Sequence, residues 1–460
     1  MTAPPRQTML ATAPVSKLIW TFAIPAILSQ VVNSMHNIVD QTFLGWGIGD
    51  LAIAATNIAF PLSTLTTALA ALIGMGGAAG FSLDLGKKQE RSARKNWGNA
   101  IVLSVGLGCL LAVLAVAFLE PMLYLFGATE NTISYSMDYL NIYLYGSIFV
   151  ELALGLNFFI TSQGFSTVGM ASVIIGAVVN IVLDPILIFG LNMGVKGAAL
   201  ATITAQAVSA VWVVRFLCGR RTKLRIQRRL LRLDAKVLAP VLALGLSPFI
   251  MQSTESLVNI AFNSSLKTYG GDPAVGAMTI CSSIMQVFSL LFQGLSQGAQ
   301  PIVGYNYGAG QLDRVKRTFR LLFFSSLCFS CAACAALELF PGLFVSLFND
   351  KPELVEIAVW ALHIYAAGMF MLGVQFSCQQ TFVALGQTRV SLFLALLRKV
   401  ILLIPLILLL PRFLSDQVFA VFLAEPVADI LAATTTGAIF FWRLPRILEK
   451  RCLELEHRPV

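Results

Sequence analysis

Twelve runs of about twenty apolar residues follow one another along this chain, and Lys and Arg gather in alternate gaps between them. A run of that length crosses a hydrocarbon core of ~30 Å as a helix. Inside lipid only helices and closed barrels pair all of their own backbone N–H and C=O groups. The runs lack the alternation of strands, so the expected fold is an all-α polytopic membrane protein. Composition agrees: 12% of the 460 residues are charged, against roughly 25% in a soluble domain. The opening stretch MTAPPRQTMLATAPVSK is polar and lacks the apolar core of a signal peptide, so the first span is expected to remain in the mature chain.

The spans are predicted near residues 18–43, 51–81, 96–118, 136–160, 168–190, 197–217, 238–264, 274–302, 319–340, 356–384, 390–410 and 417–441. With the N-terminus inside, 26 of the 32 Lys and Arg fall in cytoplasmic segments. Four (Lys196, Lys267, Lys351 and Arg412) fall outside, and Arg398 and Lys399 lie within span eleven. That asymmetry is the positive-inside rule, so both termini are expected in the cytoplasm. The net charge of +9 therefore argues for a membrane surface, not nucleic acid, and RRTKLRIQRRLLRLDAK (220–236) reads as a basic membrane-facing linker. The expected organisation is a tail 1–17, an N-lobe 18–217, a linker 218–237, a C-lobe 238–441 and a tail 442–460.

The chain also repeats itself at an offset of 222 residues: Asn37 with Asn259, Gly86 with Gly308, Gln89 with Gln311, Tyr143 with Tyr365, Gly146 with Gly368 and Gly164 with Gly386. Six spans per half preserve orientation, so the halves are expected as two six-helix bundles related by a pseudo-two-fold axis along the membrane normal. Two such bundles rocking about a shared cavity is a transporter plan.

An ionisable group within a span costs about 2.5–3.5 kcal/mol on insertion scales, so each one needs a reason. The candidates are Asp40, Glu151, Asp184, Glu255, Glu425 and Asp429. Span one enters near Lys17, which puts Asp40 roughly 35 Å along it at 1.5 Å per residue, and Asp184 lies about 24 Å along span five. Tyr139 and Thr202, near the outer ends of spans four and six, share that layer. Asn180 lies one turn from Asp184 on the same face. Two carboxylates, an amide, a phenol and a hydroxyl can thus meet at one depth. All-oxygen ligation suits a small hard cation, and paired carboxylates suit a proton. Pro185 removes a helix hydrogen bond beside them and makes a place to bend.

Three stretches, NIVDQTFLGWGIGDLAIAATNIAFP (37–61), VNIVLDPILIFGLNMGVKGAALATITAQ (179–206) and GLSQGAQPIVGYNYGAG (294–310), resemble the multidrug and toxic compound extrusion (MATE) family, nearest its MepA-like branch. The resemblance covers essentially all twelve spans. It implies a bacterial inner-membrane antiporter that exports drugs, often cationic and aromatic, against an inward flow of H⁺ or Na⁺. It also implies a cation site in the N-lobe, which falls on Asp40, Tyr139, Asn180, Asp184 and Thr202. Some relatives have a second site with a Glu on span seven and an Asp on span ten. Glu255 matches the first, but span ten here has no acid.

Glu255 and Glu151 are candidates for the substrate cavity, with Met285 on an adaptable Met wall (with Met251, Met278, Met369 and Met371) and His36 as a possible proton relay one turn before Asp40. Glu151, Glu425 and Asp429 can line the cavity or pair with Arg398, Lys399 or a backbone donor. No cofactor is expected, and no metal beyond Na⁺ at the cation site. CFSCAAC (328–334) sits mid-helix without a flanking His or acid, which favours packing over metal binding. GFSLDLGKK (80–88) lacks the Ser or Thr of a phosphate-binding loop, and three histidines, one of them in the C-terminal tail, weigh against an intramembrane enzyme. The expected partners are small organic molecules and the bilayer, with the protein a monomer. The rival expectation is a lipid-linked glycan flippase, which would crowd its cavity with Arg or Lys.

Overall fold

The computed structural model describes residues 6–219, 222, 224, 228–349 and 351–457. Residues 1–5, 350 and 458–460, with 220, 221, 223 and 225–227 of the basic linker, lie outside the described residues. All regular structure among the described residues is helical. Among the described residues twelve helices are long enough to span, with the bent pair of α4 counted as one and the run 235–308 divided at Gly271: α1 Val15–Gly47, α2 Asp50–Gly86, α3 Glu90–Leu125, α4 Ile133–Tyr145 with Ser147–Ser162, α5 Ser166–Gly190 and α6 Val195–Cys218. Then come α7 and α8, residues 235–270 and 272–308, separated by Gly271, whose φ of 67° and ψ of −162° are not helical. The last four are α9 Leu312–Leu339, α10 Pro352–Ala384, α11 Thr388–Phe413 and α12 Gln417–Glu456.

The helices form two compact units. One comprises Ile24–Gln252 with the N-terminal residues to Ala13, and the other comprises Ser253 onward with Pro14–Ala23. This division departs from one drawn at the loops, because the first turns of α1 belong with the second unit and those of α7 with the first. The reason is local packing of small residues. In the first unit Gly76 of α2 meets Gly245 of α7 so closely that a Cβ on either would strike the other helix's backbone. In the second, a Cβ on Gly298 of α8 would lie 2.6 Å from the backbone N and Cα of Ala23. Gly76 and Gly298 are one repeat apart, as are Ala23 and Gly245. In lipid, where apolar burial adds little to helix association, such close approach is what lets dispersion hold helices together.

The repeat is also visible in the backbone. Gly49 and Gly271 take φ of 98° and 67°, and Gly164 and Gly386 take 94° and 75°, values that favour glycine. Gly146 (φ −86°, ψ 0°) breaks α4, whose two pieces bend by 54°, and Gly368 has nearly the same angles (−84°, −7°) in α10.

Each unit has its own core. Around the site end of the first, Leu44, Leu123, Tyr139, Tyr143, Leu144 and Ile188 pack together, with Tyr139 and Tyr143 stacked at 6.1 Å. In the second, Phe262, Phe292, Tyr365 and Phe422 do so, and Phe292 stacks on Phe376 at 5.5 Å.

Candidate functional site

Residue spacing places Asn180 and Asp184 one turn apart on α5, and both are fully buried. Asn180 Nδ2 donates to Asp184 Oδ1 at 3.3 Å and to Thr202 Oγ1 on α6 at 3.5 Å. The carboxyl of Asp40 on α1 lies close enough to that of Asp184 to interact with it, and the Tyr139 hydroxyl on α4 lies likewise beside Thr202. All five residues expected at one depth therefore meet in one site. Directly after it Pro185 interrupts the donor ladder and α5 widens into a π-helical turn, Ile186–Gly190, a local irregularity typical of functional segments.

The site is rich in acceptors and poor in donors. Asp40 Oδ1, Asn180 Oδ1 and Asp184 Oδ2 are buried with no hydrogen-bond partner. Among the described residues neither carboxylate takes part in an ion pair. Two like unit charges ~4 Å apart repel by about 4 kcal/mol at an effective dielectric of ~20, so the arrangement calls for positive charge.

The four residues expected at a substrate cavity are dispersed. His36, on α1 one turn before Asp40, lines a small cavity with Thr202, and its Nδ1 lies 2.9 Å from the Asn33 carbonyl. Glu151 is fully buried, with both oxygens unpartnered, in a π-helical turn of α4 (Glu151–Gly155), so it is enclosed within the first unit and does not face an open wall. Met285 is packed in the core of the second unit alongside Met278 and Met369, because the helix face it shares is apolar; it forms no open Met wall there. Glu255 does keep an exposed side chain (60%), but it forms an ion pair with the buried Lys399 and is not a free carboxylate.

That ion pair belongs to a larger charged cluster, in which the pairing of Glu425 and Asp429 with Arg398, one of the two expected alternatives, is the one realised. Arg398 Nε donates to Asp429 Oδ1 at 2.7 Å and Arg398 Nη2 to Glu425 Oε1 at 3.4 Å. Arg398 and Lys399 sit on a π-helical stretch of α11, Leu397–Leu403. The signal was present: Glu425 and Asp429 are four apart, and two adjacent bases interrupt an apolar run. The cysteines of 328–334 all stay free, with Cys328 and Cys331 on the exposed side of α9 and not in its packing.

Twelve membrane-length helices in two units with one shared backbone pattern, enclosing an acceptor-rich site among four helices of the first, define a class: the multi-pass membrane transporter. The chain belongs to the MatE family, whose sequence model matches residues 25–186 and again 248–409, one copy in each half. It is 26% identical over 418 residues to a multidrug export protein MepA of Staphylococcus haemolyticus, covering 90% of this chain and 92% of that one. Among solved structures it resembles a MATE multidrug transporter, DinF-BH in complex with R6G (36% identity, TM-score 0.86, 92% of this chain and 95% of that one). It shares its fold with a MATE in the bent conformation (21% identity, TM-score 0.91, 98% and 100% coverage).

Proposed function

We propose that this protein is a cation-coupled multidrug antiporter of a bacterial cytoplasmic membrane, both termini facing the cytoplasm. The observation that carries the reading is the group of three unpartnered buried oxygens on Asp40, Asn180 and Asp184. A proton or Na⁺ satisfies such a set, and either one offsets the charge that two buried carboxylates bring together. The names of the relatives, a multidrug export protein and a transporter bound to R6G, support organic drugs as the other cargo.

In this mechanism Asp40 and Asp184 take the cation from outside. Their neutralisation lets α1 and α5 repack, the latter at Pro185, which narrows the drug-binding face of the first unit. Release of the cation inward resets the site. One charge crossing about 100 mV supplies roughly 2.3 kcal/mol, enough for a gradient of about fifty-fold of an uncharged drug, whereas one-for-one exchange against a monovalent drug cation draws on the coupling ion's own concentration gradient.

A glycan-pyrophosphate flippase needs free cationic side chains. Arg398 is held by two carboxylates and Lys399 pairs with Glu255, which weighs against that reading. Dye export from proteoliposomes under imposed pH or sodium gradients tests the proposal. Export should follow one of the two gradients in the wild type and be uncoupled from it in Asp40→Asn and Asp184→Asn. Gradient-driven export unchanged in both variants would remove these acids from the mechanism.

A further inference from the structure

A seam of polar groups leads away from the Asp40–Asp184 site within the first unit. It starts at Thr202, which accepts from Asn180 and also lines a cavity of about 30 Å³ with Asn33, His36, Ser172, Gln206 and Ser209. Ser209 Oγ on α6 donates to the Ser172 carbonyl on α5 at 2.9 Å, and Ser172 Oγ to the Gly169 carbonyl at 2.8 Å. Asn157 Nδ2 on α4 donates to that same Gly169 carbonyl at 3.2 Å. Asn157 Oδ1 is buried without a partner, as are both amide atoms of the fully buried Gln163, where α4 turns into α5. From Asp184 back to the first residue of α5 is about 27 Å at 1.5 Å per residue.

The plain alternative is that these groups only tie helices together, as Ser and Asn do in membranes. Two features go further. The cavity has room for about two waters, since one needs ~10–15 Å³. It is far below the ~300–1,000 Å³ of a drug site, so it suits water or a small cation alone. In addition, two glycines of α5 let polar atoms of the neighbouring helices pack directly against its backbone. A Cβ on Gly176 would lie 2.5 Å from Ser209 Oγ, and one on Gly169 2.8 Å from Asn157 Oδ1.

We propose that this seam among α4, α5 and α6 is the water-lined route by which the coupling cation leaves the Asp40–Asp184 site, toward the end of the unit at which α5 begins. Gly176 and Gly169 let Ser209 and Asn157 reach it, and a side chain at either position would displace those polar atoms. The inference rests on the coupling reading and adds that cation and drug leave by separate paths. Besides the His36 ring, the seam offers hydroxyl, amide and backbone carbonyl groups and no Lys or Arg, which fits a proton on water or a dehydrating Na⁺.

The test uses the full chain in proteoliposomes loaded with a fluorescent organic cation, under imposed pH and sodium gradients separately. Gly176→Val, Ser209→Val and Asn157→Leu should each slow gradient-driven export by about tenfold or more, while dye binding to the purified protein stays within about twofold. Ser209→Cys supplies a folded control: a small methanethiosulfonate should block its export beyond any effect on the wild type, and a reductant should restore it. Normal export by the filled variants, or no block at Ser209→Cys, overturns the route. If Asp184→Asn still loses coupling in the same experiment, only the route fails. If Asp184→Asn also exports normally, the coupling reading fails with it.

Discussion

Asn180 Nδ2 donates to Asp184 Oδ1 at 3.3 Å, a contact between neighbouring turns of one helix that leaves Asp184 Oδ2 a buried acceptor with no donor. The same amide reaches across to Thr202, so one side chain orients ligands from two helices. This places the weak point of the site on an uncharged residue.

Replacing that amide tests the point. Asn180→Leu keeps the volume roughly constant but strips the donor from Asp184 and Thr202. A hydrogen bond to a charged group is worth about 1.5–3 kcal/mol, so gradient-driven export should fall by about ten- to a hundredfold at matched protein level. An unchanged export rate would show that the amide is no part of the site.

The cluster on α11 and α12 predicts a stability effect. Arg398→Met leaves Glu425 and Asp429 buried without their cation, and breaking a buried pair costs about 3–5 kcal/mol. The purified variant should melt at a clearly lower temperature. The triple change Arg398→Met, Glu425→Gln, Asp429→Asn should recover most of the loss. A wild-type melting curve for Arg398→Met alone would mean the pairs do not form.

Packing predicts another. A Cβ at Gly245 would overlap the Leu72 backbone, and one at Gly298 would lie 2.6 Å from Ala23. Gly245→Val and Gly298→Val must push backbone apart and not merely displace a side chain, so each should cost more than about 4 kcal/mol. Both should give little monodisperse protein on size-exclusion chromatography. A yield equal to wild type from either would contradict the close crossing.

Orientation can be read from a native thiol. Cys452 is exposed near the end of α12. With the termini cytoplasmic, a charged thiol reagent that cannot cross lipid should label it in inside-out vesicles and not in intact cells. Labelling in intact cells would invert the topology.

Much of this protein is legible without coordinates because the bilayer is so restrictive a solvent. It forces helices of one length, and the membrane's charge asymmetry orders Lys and Arg, so the span count and the repeat follow from counting. That Asp40, Tyr139, Asn180, Asp184 and Thr202 lie together follows too, since rise per residue converts position into depth and a polar group in lipid needs a partner. What depth cannot supply is rotation about the helix axis. The sequence set Glu151 and Glu255 side by side as cavity candidates, yet packing encloses one without a partner and hands the other to Lys399. Met285, suited by type to a binding wall, faces inward to the core. The polar seam was invisible for a related reason: Ser172 and Ser209 look ordinary on α5 and α6, and only their contact shows that their faces coincide. Helix count, length and depth are set residue by residue through local chemistry and the thickness of the membrane. Which face meets which neighbour depends on contacts between residues far apart in the chain, above all where missing side chains such as those of Gly76, Gly176 and Gly245 let helices close in, and only the tertiary structure decides that.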